Sequence, residues 1–241
     1  MKKNTIFFLF LAITVFIFSC ELQDKKPEAL LITGGHSFDT TEFFNFFFDS
    51  IETVTIDTIS QPSANQFLTT EEGKAYDIYI FYDMWKEITD DQKKAYIELT
   101  RAGKGFLFLH HSIVSYQQWD TFKHIVGGKY NRPSPDIDSA FHSNYTHDLD
   151  LIVNIADPEH PITDGMDRFI INDEGYGNLE LTEGIDTLLT TSNPNCHPVI
   201  GWTNSYNKSK IVYLIFGHDK KAYRDEDFKV VVENALEWIG E

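Results

Sequence analysis

Phe106-Leu107-Phe108-Leu109 is enclosed by Gly103-Lys104-Gly105 on one side and His110-His111-Ser112 on the other. Four consecutive apolar residues between a glycine turn and polar groups predict a short strand buried on both faces. Such a strand belongs in a sheet covered by helices above and below. The preceding chain repeats the layout. Apolar runs at 29–33 and 76–82 predict strands, and the alternating run 54–59 predicts a half-exposed one. Between the first two lies a phenylalanine-rich helix, capped by Asp39, Thr40 or Thr41 and running to about Ser50. Residues 62–74 read as a helix or an irregular connection. A second helix starts at Thr89, with Asp90, Asp91 and Gln92 in its first turn, and stops at Gly103. Strands alternating with helices over short connections predict an α/β fold with a mostly parallel central sheet, its crossovers right-handed.

Downstream, Trp119, Phe122 and Ile125 recur every three residues and predict a helix over 115–126, ended by Gly127-Gly128. The pattern weakens over 129–148, which holds His142 and His147. Further strands are expected at 149–155, 169–171, 186–191, 197–202 and 210–216, and an amphipathic helix at 225–239. No internal repeat or low-complexity linker divides the chain, so residues 29–241 are expected to form one domain.

The N-terminus has a different character. Lys2 and Lys3 precede an apolar stretch too short for an ordinary membrane span, ending at Ser19-Cys20. This resembles a bacterial lipoprotein cleavage box, with residues 1–20 as signal peptide, Cys20 as the lipidated residue and 21–28 as a polar tether. The expected location is therefore the cell envelope, on its periplasmic or outer-membrane side, with a lipid anchor as the sole membrane contact. Cys196 is the one other cysteine, so lipidation of Cys20 leaves no internal disulfide. Its surroundings of asparagines, prolines and His197 read as a loop carrying a bystander thiol. With 37 acidic against 20 basic residues, the chain lacks the cationic surplus that phosphate backbones require, which argues against nucleic acid.

The chemistry gathers at expected strand ends. His36 with Asp39, His110 with His111 and His218 with Asp219 each follow an apolar run, and Glu174 and Tyr176 follow a fourth. Parallel strands bring such ends to one edge of a sheet, where open α/β folds bind ligands. His110 is the first choice for a functional imidazole and His111 reads as its structural neighbour. Convergent imidazoles and carboxylates serve proton transfer or hold a metal. The histidines lack a short ligand spacing such as HExxH, which leaves a divalent metal open.

Several stretches together resemble the ThuA-like (trehalose utilisation) family: GGHSFD from Gly34, GKGFLFLHHS from Gly103, and Trp119 through Gly127-Gly128-Lys129-Tyr130. They continue with ADPEHPITDGM from Ala156, DEGY from Asp173, PVIGW from Pro198 and FGHD from Phe216. The resemblance implies a three-layer sandwich, flavodoxin-like or class I glutamine amidotransferase-like. That wider fold places a nucleophilic cysteine after a central strand. Here His110 stands at the corresponding end, so the resemblance implies the scaffold without glutaminase chemistry. It also implies a carbohydrate role, including the handling of 3-keto-disaccharides. A His-Pro pair expected after the Gly127-Gly128 aromatic is replaced by Asn131-Arg132-Pro133, with His142 as the displaced counterpart.

The resulting expectation is a hydrolase or lyase acting on a glycoside or keto-glycoside. His110, His36, Glu174 and His218 are the candidate acid–base groups; Asp39, Tyr176, Trp119, His142 and Asp219 are candidate substrate contacts. The alternatives are a non-catalytic sugar-binding lipoprotein, with aromatics stacked on sugar faces, and a structural component of an envelope complex.

Overall fold

The computed structural model describes residues 25–241; the expected signal peptide and Cys20 lie outside them. In chain order the elements are β1 (Glu28–Gly34), α1 (Thr40–Asn45), β2 (Thr55–Ser60), α2 (Ser63–Phe67), β3 (Ile78–Asp83), α3 (Asp90–Ala102) and β4 (Gly105–Leu109). Then follow α4 (Asp120–Val126), β5 (Gly128–Lys129), β6 (Asn144–Ile155), β7 (Phe169–Gly177), β8 (Glu180–Leu181) and β9 (Asp186–Thr191). The chain closes with β10 (Val199–Tyr206), β11 (Ser209–Leu214), α5 (Lys220–Tyr223) and α6 (Glu226–Gly240). Among the described residues no helix is long and apolar enough to cross a membrane.

One sheet has the order β2-β1-β3-β4-β11-β10-β9-β6-β7. β2, β1, β3, β4 and β11 are mutually parallel neighbours, and only β10 and β6 run against the other strands. The C-terminal ends of β1, β3, β4, β11 and β7 therefore emerge along one edge. β3 and β4 are buried at every residue, as continuous apolar runs require in a sheet covered on both faces. Successive side chains serve opposite layers. Phe81 stacks on Tyr96 of α3, whereas Tyr82 stacks on Phe43 of α1 at 4.2 Å. Phe46 meets Phe228 of α6 on that same side.

The helix starts follow from capping. Asp39 caps α1, and Thr89 with Gln92 forms a reciprocal capping box on α3, which Gly103 ends at φ 80°. The helix expected over 115–126 is shorter and begins at Asp120. Tyr116 stands in the left-handed region at φ 45°, with its hydroxyl fastened to Asn65, Gln61 and Tyr96 in a buried polar network. Ser115 accepts from Trp85 N and donates to Asp83 O. These tertiary bonds hold 115–119 out of the helix that the apolar spacing favours.

β6 and β7 are longer than expected because their inner halves are polar. β6 begins at Asn144 rather than near residue 149, and β7 continues through Asp173, Glu174 and Tyr176 to Gly177. Their register places Thr146 opposite Gly175 and Leu149 opposite Asp173. His147 and Asp148 thus face Glu174 alone, a β-bulge with Asp148 at φ 56°. The bulge turns His147 toward Glu174.

Candidate active site

β4 delivers His110 to a sharp turn. Its φ of 47° is a conformation that non-glycine residues adopt rarely and keep where the surroundings impose it. The ring is 1% exposed. Its Nδ1 lies 2.7 Å from the Ile215 carbonyl oxygen, which can only accept. Nδ1 therefore carries the hydrogen, and Nε2 faces the cluster as an acceptor. Nε2 is 3.0 Å from the Tyr176 hydroxyl, 3.2 Å from His218 Nδ1 and 3.6 Å from Glu174 Oε1.

β7 supplies residues to both sides of the sheet. Glu174 and Tyr176, two apart, point together toward His110. Glu174 Oε2 pairs with His147 Nδ1 at 2.6 Å and lies 3.5 Å from His218 Nδ1. Asp173 serves a different purpose. Its buried carboxylate accepts from Gly217 N at 2.7 Å, His218 N at 3.0 Å and Glu174 N at 2.8 Å. Tyr82 donates to Gly217 O at 2.7 Å, so the turn after β11 is held from two directions. Asp173 thereby sets the position of His218 through its backbone.

His147, Glu174, Tyr176 and His218 line a cavity of about 300 Å³, with His110 behind them. Its walls include Tyr130, Tyr145 and Tyr176, with His36 and Arg132 also on the lining. His111 lines it as well, and it is 2% exposed with neither ring nitrogen hydrogen-bonded. The ring sits between Tyr82 and His36, with centroids 4.3 and 4.8 Å away.

Burial disfavours the charged forms of His110, His111 and His218. It holds His110 well below the ordinary histidine value, helped by repulsion from His111, and lowers His218 with help from His147. His111 falls to about 3 through burial and then His36. The Tyr82 backbone offsets part of that shift, although neither ring nitrogen meets it in hydrogen-bonding geometry. Burial raises Glu174, an effect opposed by His147 and then Tyr176. It lifts Asp173 to about 7 despite the three backbone donors.

His110, His218, Glu174 and Tyr176 are thus brought together, with His36 across the cavity on His111. Four other candidates stand elsewhere. Asp39 is exposed and occupied as the α1 cap. Trp119 packs between Tyr96 and Phe122 in the helical layer. His142 Nε2 lies 3.0 Å from Ile137 O and holds its own loop. Asp219 caps α5 and borders a neighbouring depression shared with His147, Glu174 and His218. Sequence reasoning passed over His147, Asp173, Tyr130, Arg132 and Tyr145 as site residues and assigned His111 to structure. The one available signal was a doublet of polar and aromatic residues, DEGY, repeated in character by NYTH across the hairpin. Cys196 is buried against Gly175, on the face of β7 opposite Glu174 and Tyr176, and pushed up to about 12 by burial, as suits a thiol without nucleophilic duty.

Residues 30–239 match the protein family described as ThuA, trehalose utilisation. The chain belongs to the ThuA family. Solved ThuA-like relatives share the fold at low identity. A ThuA-like protein from Parabacteroides merdae superposes with a TM-score of 0.74 at 16% identity, covering 90% of each chain. One from Bacteroides uniformis gives 0.63 at 18% identity, covering 90% of this chain and 92% of that one. The cytoplasmic protein STM3548 from Salmonella typhimurium gives 0.61 at 14% identity over 88% and 98%. Comparison with curated proteins returned no match.

Proposed function

We propose that this ThuA protein is an envelope-anchored, carbohydrate-processing enzyme that removes the proton beside the carbonyl of a 3-keto-sugar, on a disaccharide or related glycoside. The family supports a carbohydrate role. The observation that carries the chemistry is the Glu174–His147 pair, 2.6 Å apart, at the floor of a cavity walled by tyrosines. A carboxylate bonded to one imidazole nitrogen orients the ring and strengthens its other nitrogen as a base. The anchor rests on the N-terminal sequence alone.

In the proposed step the C–H bond next to the ketone breaks and its proton passes to the Glu174–His147 pair. The electron pair moves onto the carbonyl oxygen, where the Tyr176 hydroxyl is placed to stabilise the new charge. Collapse of that enolate then expels the glycosidic oxygen, which leaves with the proton. Hydrolysis by two carboxylates has less support, because among the described residues Glu174 is the sole carboxylate lining the cavity.

A turnover assay on 3-keto and unoxidised disaccharides tests this reading. Glu174→Gln and His147→Ala are expected to lower kcat about 100-fold or more on the keto-sugar. Tight binding by the wild type with no turnover on any sugar would instead identify a binding protein.

A further inference from the structure

We infer that His110 Nε2, His218 Nδ1 and Glu174 form the ligand set of a divalent cation, with zinc the best geometric match. The three donors lie within 4.8 Å of one another. Tetrahedral zinc binds nitrogen and oxygen at about 2.0–2.1 Å, which sets its ligands roughly 3.3 Å apart. The observed separations are 3.2 Å between the imidazole nitrogens, 3.6 Å from His110 Nε2 to Glu174 Oε1 and 3.5 Å from His218 Nδ1 to Glu174 Oε2. Each contact thus has a length expected between neighbouring ligands of one ion, the carboxylate turning Oε1 to His110 and Oε2 to His218.

The surrounding bonds prepare the ligands for that duty. Ile215 O takes the Nδ1 hydrogen of His110, fixing the tautomer whose Nε2 lone pair is exposed to the cluster. Asp173 pins the backbone of His218, and His147 pairs with Glu174 Oε2. Glu174 and His218 line the cavity while His110 lies behind them, so the remaining coordination position opens toward the substrate space. Two histidines, one carboxylate and an open position form a catalytic rather than a structural zinc arrangement. Resting on the proposed reaction, the cation would polarise the keto oxygen as the neighbouring proton leaves.

The test separates the site from the reaction. The chain is stripped with chelator, dialysed and titrated with Zn²⁺ by calorimetry, and with Co²⁺ by visible absorption. One equivalent is expected, with the absorption of a tetrahedral cobalt–nitrogen site. His218→Ala and Glu174→Gln, checked for native circular dichroism, should weaken Zn²⁺ binding about 100-fold or more; the exposed His124→Ala should leave it unchanged. Absence of stoichiometric binding, or wild-type affinity in both ligand variants, overturns the site. Stoichiometric, variant-sensitive binding establishes it even if no keto-sugar is turned over, and that lack of turnover counts against the reaction alone.

Discussion

Asp173→Ala should cost stability and release His218 in the same stroke. The carboxylate is 3% exposed and accepts three backbone N–H groups at 2.7, 2.8 and 3.0 Å, joining β7 to the turn after β11. Each buried N–H left without an acceptor costs roughly 1–3 kcal/mol. Against this stands relief from burying a carboxylate, a penalty large enough to lift its pKa to about 7. The net loss expected for alanine is about 3–5 kcal/mol, or roughly 10 °C in Tm for a domain of this size. Asp173→Asn keeps one acceptor oxygen, which can hold the Glu174 and His218 amides, and should cost about 1–2 kcal/mol. Urea unfolding followed by tryptophan fluorescence measures both variants, and the imidazole NMR signals of His218 report its position. A loss under 1 kcal/mol for the alanine variant, with His218 signals unmoved, would refute the role given to Asp173.

Asp83 offers a pH test away from the site. Burial lifts it to about 7 from an ordinary 3.8, so the folded chain holds a proton that the unfolded chain releases. The stability it lends is complete below about 3.8, declines as pH rises and is gone above about 7. Asp83→Asn should therefore shrink the loss in urea midpoint between pH 5 and pH 8; an undiminished loss would count against this account. Gly35→Ala would set a Cβ 2.1 Å from Met84 O at φ +81°, whereas a Cβ on Gly165 at φ +72° meets nothing within 4 Å. Unfolding free energies should show the first losing several kcal/mol and the second about 1 kcal/mol, the cost of φ alone. Tyr145→Ala should weaken disaccharide binding about 3–10-fold with little change in Tm, because Tyr145 is 59% exposed on the cavity wall. Trp119→Ala should do the reverse, costing about 3–5 kcal/mol of stability through lost packing.

Local rules were enough for much of this chain. Consecutive apolar residues at 29–33 and 106–109 demand burial on both faces, and capping residues at Asp39 and Thr89 mark helix starts. The alternation of those pieces already entails parallel strands with their C-terminal ends on one edge, and so placed His110 beside His218. The missed features share a cause. Strand pairing is non-local, and β6 and β7 are written in polar residues that no single-strand pattern distinguishes from a loop. Tyr116 shows the same limit, since its hydroxyl's buried partners on α2 and α3 decide its backbone, not its neighbours in sequence.

The amino-acid sequence by itself determined the layered α/β class, the sheet edge at which chemistry gathers and His110 at its centre. Only the tertiary structure decided what surrounds that imidazole. The β6 bulge aims His147 at Glu174, the β7 pleat sends Glu174 and Tyr176 inward while turning Asp173 to the β11 turn, and the Ile215 carbonyl selects the tautomer of His110. Each depends on register and hydrogen bonding between segments far apart in the chain, to which spacing along one segment carries no information.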